Sequence, residues 1–321
     1  MNNGGSEGFI ATFVADFDSA MKTSLRSPLL LTLGALIWGV AFVAQSEGSN
    51  YMGSATFIGI RFLLGALVLL PFIRLSERRR TVRETPAEKK ACWRAGAICG
   101  FWLFVASFFQ QEGIALGASA GKAGFITAIY IVIVPILGLI LYKKRTGLAV
   151  WIGVVISLAG LYLLCVTGEF ALQKEDILML LCAFTFSFQI LAIDRFSPQF
   201  NALKLAAVQF LVCGTLGVLV AIPVDIASAG FAAWAAPLAS WPAWISLLYA
   251  GILSSAVGYT LQIVGQKGFN PTVASMLMSL ESVFAVLAGW LILHQTMTLR
   301  EAIGAALVFV AVIIAQLRKT D

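Results

Sequence analysis

Ten apolar runs dominate this chain and limit what it can fold into. They are roughly Leu29–Ser46, Ser54–Leu75, Ala95–Leu116, Ala120–Tyr142, Gly147–Val166, Asp176–Ile193, Ala202–Val224, Ala243–Gly265, Pro271–Leu293 and Arg300–Leu317. A helix that crosses hydrocarbon needs about 20 apolar residues, and each run is of that order. Lipid offers backbone N–H and C=O groups no partner, so the spans must be helices. The alternating short segments of a membrane barrel are absent. Only 12% of the 321 residues are charged, against about 25% in soluble domains. An ordinary soluble enzyme and a long disordered protein are therefore excluded. The expected fold class is an all-α polytopic membrane protein with ten transmembrane helices and short loops.

Net charge is +6, but the bases sit at the ends of the apolar runs rather than on a nucleic-acid-binding face. With the N-terminus in the cytoplasm, eighteen Lys and Arg fall on that side and only Lys174 and Arg300 on the other; Arg61 and Lys122 lie inside spans. Eight of the eighteen lie between Arg74 and Arg94. This is a positive-inside distribution, and it checks the count of ten, because omitting one helix reverses every later loop. The expected location is the plasma (inner) membrane, multi-pass, with both termini cytoplasmic. Trp234, Trp241 and Trp244 suit an outer interfacial belt.

Residues 1–27 are read as a cytoplasmic tail. Glu7, Asp16 and Asp18 precede Lys22 and Arg26, the reverse of a signal peptide. Phe9, Phe13, Phe17 and Met21 recur every four residues, which fits either an amphipathic helix on the membrane or a mobile tail. The five cysteines form no ligand spacing and His294 is the one histidine, so neither a metal nor a haem cofactor is expected.

The chain also resembles itself. An offset of 148 sets Arg61-Phe62-Leu63 against Gln209-Phe210-Leu211 and Trp38 against Phe186. After the charged loop the offset becomes 151, pairing Gln111 with Gln262, Gly117 with Gly268, Ala123 with Ala274 and Gly153 with Gly304. The units are 28–166 and 176–317, each of five helices. Five is odd, so the second unit is inverted in the membrane. Inverted repeats place a substrate site near the midplane between them and provide two mirror-related states.

Several of these segments carry a family resemblance. Gly34-Ala35-Leu36-Ile37-Trp38-Gly39, Arg61-Phe62-Leu63-Leu64, Asn270-Pro271-Thr272-Val273-Ala274-Ser275 and Ser279-Leu280-Glu281-Ser282-Val283-Phe284-Ala285 resemble the drug/metabolite transporter superfamily, and within it the EamA-type ten-helix exporters. The resemblance covers about Pro28 to Leu317. It implies a secondary transporter of small metabolites, often an exporter, with a cavity lined by helices one to four and six to nine and with helices five and ten peripheral. One departure stands out. Where family members often end the fourth and ninth helices with Gly-Glu, this chain has Tyr142-Lys143 and Leu293-His294.

Ionisable residues at membrane depth are costly and usually face the protein interior. Glu281 lies ten residues into the ninth run, about 15 Å along a helix, and Arg61 lies seven residues into the second. Arg61 is read as an anchor for a substrate carboxylate, and Glu281 as one for an amine or a coupling proton. The alternative is that each neutralises a neighbour or caps broken backbone. Gln111 and Gln262 are repeat equivalents in the third and eighth helices, accompanied by Gln110 and Gln266; they serve as interhelical hydrogen bonds or as substrate contacts. Gln45 and Gln189 are further candidates. Trp38, Tyr130, Phe186 and Tyr259 fall near mid-span and are candidate cavity walls. Glu112 and Lys122 flank an outer turn and are expected to pair, or else to guard the outer entrance. Pro135 frees a carbonyl and is expected to kink the fourth helix. The glycines Gly34, Gly39, Gly59, Gly65, Gly153 and Gly160 are expected at close helix contacts.

The leading function is a secondary active transporter, an exporter of small metabolites such as amino acids or amines, working by alternating access. A passive facilitator or channel is the alternative, and a membrane-embedded enzyme lacks any nucleophile–base set. Expected partners are a small-molecule substrate, membrane lipid, a proton as candidate coupling ion and a second copy in a homodimer, with no nucleic acid.

Overall fold

A computed structural model describes residues 23–78, 84–118, 120–166, 173–292 and 298–317, and every regular element among these is a helix. The elements are α1 (Thr23–Ser49), α2 (Ser54–Arg78), α3 (Pro86–Ala115), α4 (Ala120–Thr127), α5 (Tyr130–Tyr142), α6 (Leu148–Cys165) and α7 (Lys174–Phe196). They continue as α8 (Ala202–Ala229) and α10 (Trp241–Gln266), with the short α9 (Phe231–Ala235) between them. The chain then forms α11 (Pro271–Met278), α12 (Leu280–Ile292) and α13 (Leu299–Leu317). Eight helices among the described residues are long and apolar enough to cross a membrane, counting α4 with α5 and α11 with α12. The ten expected runs include two more, which form the shorter α6 and the terminal α13. The amphipathic reading of the N-terminal tail and His294 fall outside the described residues.

Helix ends follow the sequence chemistry. Thr85 and Glu88 form a capping box that starts α3, with Pro86 at its first turn. Asn201 accepts from the Leu203 and Lys204 N–H groups at the start of α8, and Asn270 does the same for Thr272 and Val273 at the start of α11. The start of α2 is capped from a distance: Asp225, at the far end of α8, accepts from the Thr56 N–H at 2.7 Å and its hydroxyl at 2.6 Å. Trp234 then donates to the Thr56 hydroxyl at 2.9 Å, while Trp241 is 68% exposed.

Within the bundle, α1 packs along α10 and α12, α3 along α7 and α8, and α2 along α8. The α6 and α13 helices pack on each other. Their crossing is made by glycine: a Cβ on Gly304 would lie 2.6 Å from the Gly160 carbonyl oxygen and 2.6 Å from the Leu164 nitrogen. Since backbone cannot yield as a side chain can, Gly304→Val is expected to cost about 1–3 kcal/mol, the usual range for overpacking. A thermal-unfolding curve in detergent measures it; an unchanged midpoint would show that the two helices separate without cost.

Two interruptions matter most. The fourth apolar run breaks at Ala128–Ile129, between α4 and α5, and the ninth breaks at Ser279, between α11 and α12. Pro135 lies inside α5, beyond the break. The middle of α10, Tyr249–Tyr259, is wound as a π-helix, a form that recurs at functional sites.

The ion pair expected between Glu112 and Lys122 is not made. The Lys122 ammonium lies 2.7 Å from Asp176, a fully buried acid. Asp176 also accepts from the Gln173 N–H at 2.8 Å, as the third residue of the α7 cap. The hairpin brings Glu112 close along the chain, but α4 packs on α7, and that packing decides which acid Lys122 meets.

Candidate substrate cavity

A cavity of about 40 Å³ lies where the two helix interruptions face each other. That is room for a small ion or a few waters. Glu281 stands two residues past the Ser279 break, and Tyr130 immediately follows the Ala128–Ile129 break. The two side chains meet: the Tyr130 hydroxyl donates to Glu281 Oε1 at 3.3 Å. Glu281 is 7% exposed, and no ion pair reaches it among the described residues. Hydroxyls dress the backbone around the breaks. Ser282 donates to the Gly124 carbonyl at 3.0 Å, and Ser279 to the Met276 carbonyl at 2.8 Å.

The aromatic wall is built on α1 and α10. Trp38 and Tyr259 have ring centroids 4.8 Å apart, and Phe62 lies behind Tyr259 at 5.8 Å. The Trp38 indole N–H donates to the Ser254 carbonyl at 3.2 Å. That carbonyl belongs to the π-helical stretch, whose wide turn places it toward α1. A Cβ on Gly258 would come within 2.7 Å of the Trp38 nitrogen, so glycine there is what admits the indole.

Arg61 lines the same cavity from α2 and is 2% exposed. Its guanidinium carbon sits 4.6 Å from the Phe62 ring centroid and 5.6 Å from that of Phe57. Its Nε and Nη2 atoms are buried without a partner. Glutamine amides form another part of the wall. Gln189 and Gln262 donate to each other reciprocally, at 3.4 and 3.1 Å, and Gln189 also donates to Gln209 at 3.4 Å.

Glu281, Arg61, Trp38, Tyr130, Tyr259 and Gln262, all singled out from the sequence, therefore surround one cavity. Gln111 does not. It is fully buried and donates to the Gln45 carbonyl at 3.0 Å, which places it between α1 and α3. Phe186, Gln45, Gln110 and Gln189 also line the space, as do Phe42, Ile190, Ser254 and Met278, which the sequence reading passed over. Two of these had a signal. Phe42 is one helical turn from Trp38, and the 148-residue offset that pairs Trp38 with Phe186 pairs Phe42 with Ile190. Neither α6 nor α13 contributes to the lining, and α8 contributes none of it directly. Among the described residues no cluster of His, Cys, Asp and Glu is arranged to hold a metal.

Comparison with known proteins bears on this arrangement. The EamA-like transporter family matches the chain twice, over residues 25–166 and 173–316. An uncharacterized transporter of Archaeoglobus fulgidus is 29% identical over 296 residues, covering 92% of this chain and 87% of that protein. The uncharacterized transporter YdfC of Bacillus subtilis is 24% identical over 278 residues, covering 84% and 83%. A solved crystal structure with 20% identity superposes with a TM-score of 0.71 over 91% of this chain and 96% of its own, a likeness of fold. With its apolar helices, the chain is a multi-pass membrane protein. Two family matches that together span nearly the whole sequence place it by descent: this chain belongs to the EamA-like transporter family.

Proposed function

We propose that the protein is a secondary active transporter of ten spans, built as two inverted five-helix repeats, that exports small metabolites such as amino acids or amines by alternating access. The observation that carries this reading is the Tyr130–Glu281 contact. The two residues are 151 positions apart, the offset that relates the halves, and each follows the interruption of its helix. A contact between a residue and its own repeat equivalent belongs on the pseudo-two-fold axis, where carriers of this kind hold their substrate.

Other contacts support the repeat. The Thr56–Asp225 cap has Lys204–Glu77 as its counterpart at an offset of 148, and both are present, the second at 2.7 Å. A Cβ on Gly100 would meet the Gln209 carbonyl and the Val212 side chain; one on Gly251 would meet the Arg61 carbonyl and the Leu64 side chain. Those two sets are likewise repeat equivalents. Interrupted segments at corresponding positions of two halves point to the binding site of a carrier.

The test is a screen of proteoliposomes loaded with candidate metabolites, with and without a pH gradient. A carrier shows saturable flux and counterflow of its substrate. A channel shows flux without counterflow, and neither is seen if the chain does not transport. Topology is tested separately. The 18:2 charge split supports an inner-membrane topology with both termini on the cytoplasmic side. Reporters fused after Leu317 and between Val224 and Trp241 are expected on opposite sides, and two reporters on one side would overturn the ten-span arrangement.

A further inference from the structure

We propose that the free edge of Arg61 binds one monovalent anion, a substrate carboxylate during transport and chloride in its absence. The carboxylate arm rests on the carrier reading above; the chloride arm rests on the cavity alone.

The geometry leaves one side of the guanidinium for a ligand. Its surroundings are aromatic: Phe62 at 4.6 Å and Phe57 at 5.6 Å hold the carbon of the group. The Nε and Nη2 atoms, which form the parallel fork that suits a carboxylate or a halide, are buried and have no protein partner. No ion pair joins Arg61 to an acid among the described residues. The acid across the cavity, Glu281, has Oε1 engaged by Tyr130. A guanidinium stays charged, and a buried charge without a counter-ion is costly. In most buried arginines a carboxylate of the protein meets that need. Here the open cavity does so instead, and its repeat equivalent Gln209 is neutral, so the two halves differ in charge at this level. An anion at Arg61 also gives the site a selection rule: substrates with a carboxylate displace chloride, and those without one do not.

The experiment uses the purified full-length protein in detergent, in HEPES buffer with the dianion sulfate holding the ionic strength constant. Chloride, formate and acetate are titrated while the unfolding midpoint and tryptophan fluorescence are followed. A midpoint rise of about 4 °C is expected at a hundred times the dissociation constant, growing with the logarithm of anion concentration, while the fluorescence response saturates, with chloride and formate competing for one site. Arg61→Gln is expected to lose the saturable response. Arg61→Lys, which keeps the charge but loses the fork, is expected to weaken formate more than chloride. If Arg61→Gln does not fold, binding of radioactive chloride to the wild-type protein replaces it, with one ion per chain displaced by formate expected. No saturable response in the wild type, or the same response in folded Arg61→Gln, overturns the proposal. Counterflow without anion binding would sink this inference alone, whereas anion binding without any flux would sink the carrier reading and leave the site standing.

Discussion

In proteoliposomes, Glu281→Gln is expected to lower flux driven by a pH gradient by at least about tenfold, equivalent to ~1.4 kcal/mol, while exchange of substrate across the membrane continues. Glutamine keeps the size of the side chain and an oxygen for the Tyr130 hydroxyl 3.3 Å away, so the cavity wall is preserved. What it removes is the capacity to carry a proton. The carboxylate is buried beside a cavity, receives one hydrogen bond from a neutral phenol, and has no ion pair among the described residues. On the proposed carrier reading, a carboxylate with no fixed cation among the described residues is the group expected to exchange a proton. Tyr130→Phe separates the two roles. It removes the hydrogen bond and leaves the titratable group, so gradient-driven flux is expected to survive with an altered pH profile. Equal loss of exchange and driven flux in Glu281→Gln would instead make Glu281 an anchor for a substrate amine. Wild-type behaviour in both assays, with a normal elution profile, would remove it from the mechanism.

Much of this site was legible in the sequence because the membrane makes polar residues informative. Glu281 and Arg61 stood out against apolar runs, and a charge in hydrocarbon needs a cavity or a partner. The mid-span aromatics and Gln262 followed from depth and from the repeat offset. What stayed hidden depends on packing between distant segments. The helix break before Tyr130 lies at Ala128–Ile129, while the local signal, Pro135, sits within the next helix. The partner break at Ser279 has no proline at all. The π-helical stretch of α10 is carried by Gly251, Ser254, Ser255 and Gly258, small residues that read equally well as a close helix contact. Gln111 was matched to Gln262 by the offset, yet the two make different bonds, one to a backbone carbonyl and one to a facing amide. Equivalent positions inherit a place in the fold, and neighbours assign the bond.

The Lys122–Asp176 pair gives the second large effect. Lys122→Met is expected to destabilise the protein by about 3 kcal/mol, toward the low end for breaking a buried pair because the lysine itself is partly exposed. The asymmetry lies with the acid. Asp176 is fully buried, its Oδ1 has no partner, and its Oδ2 accepts from both Lys122 and the Gln173 N–H. Removing the cation leaves a carboxylate whose one remaining bond is the α7 cap. Asp176→Asn is expected to cost less than Lys122→Met, because its side-chain oxygen still accepts from Gln173 and the lysine can turn toward water. The double variant is therefore expected to recover part of the loss seen in Lys122→Met, which a thermal-unfolding cycle in detergent measures. Strictly additive losses would mean that the two groups do not interact in solution. A cycle between Lys122→Met and Glu112→Gln is expected to show no such coupling, since the hairpin neighbour is not the acid that Lys122 meets. The result bears on transport as well as on stability. Lys122 opens α4 and Asp176 opens α7, and a second pair, Lys144–Asp194 at 2.6 Å, ties the region after α5 to the far end of α7. With α7 held at both of its ends to the interrupted α4–α5 segment, Tyr130 is fixed relative to the Phe186–Ile190 wall. Loosening either end is expected to blunt substrate selectivity before it abolishes flux.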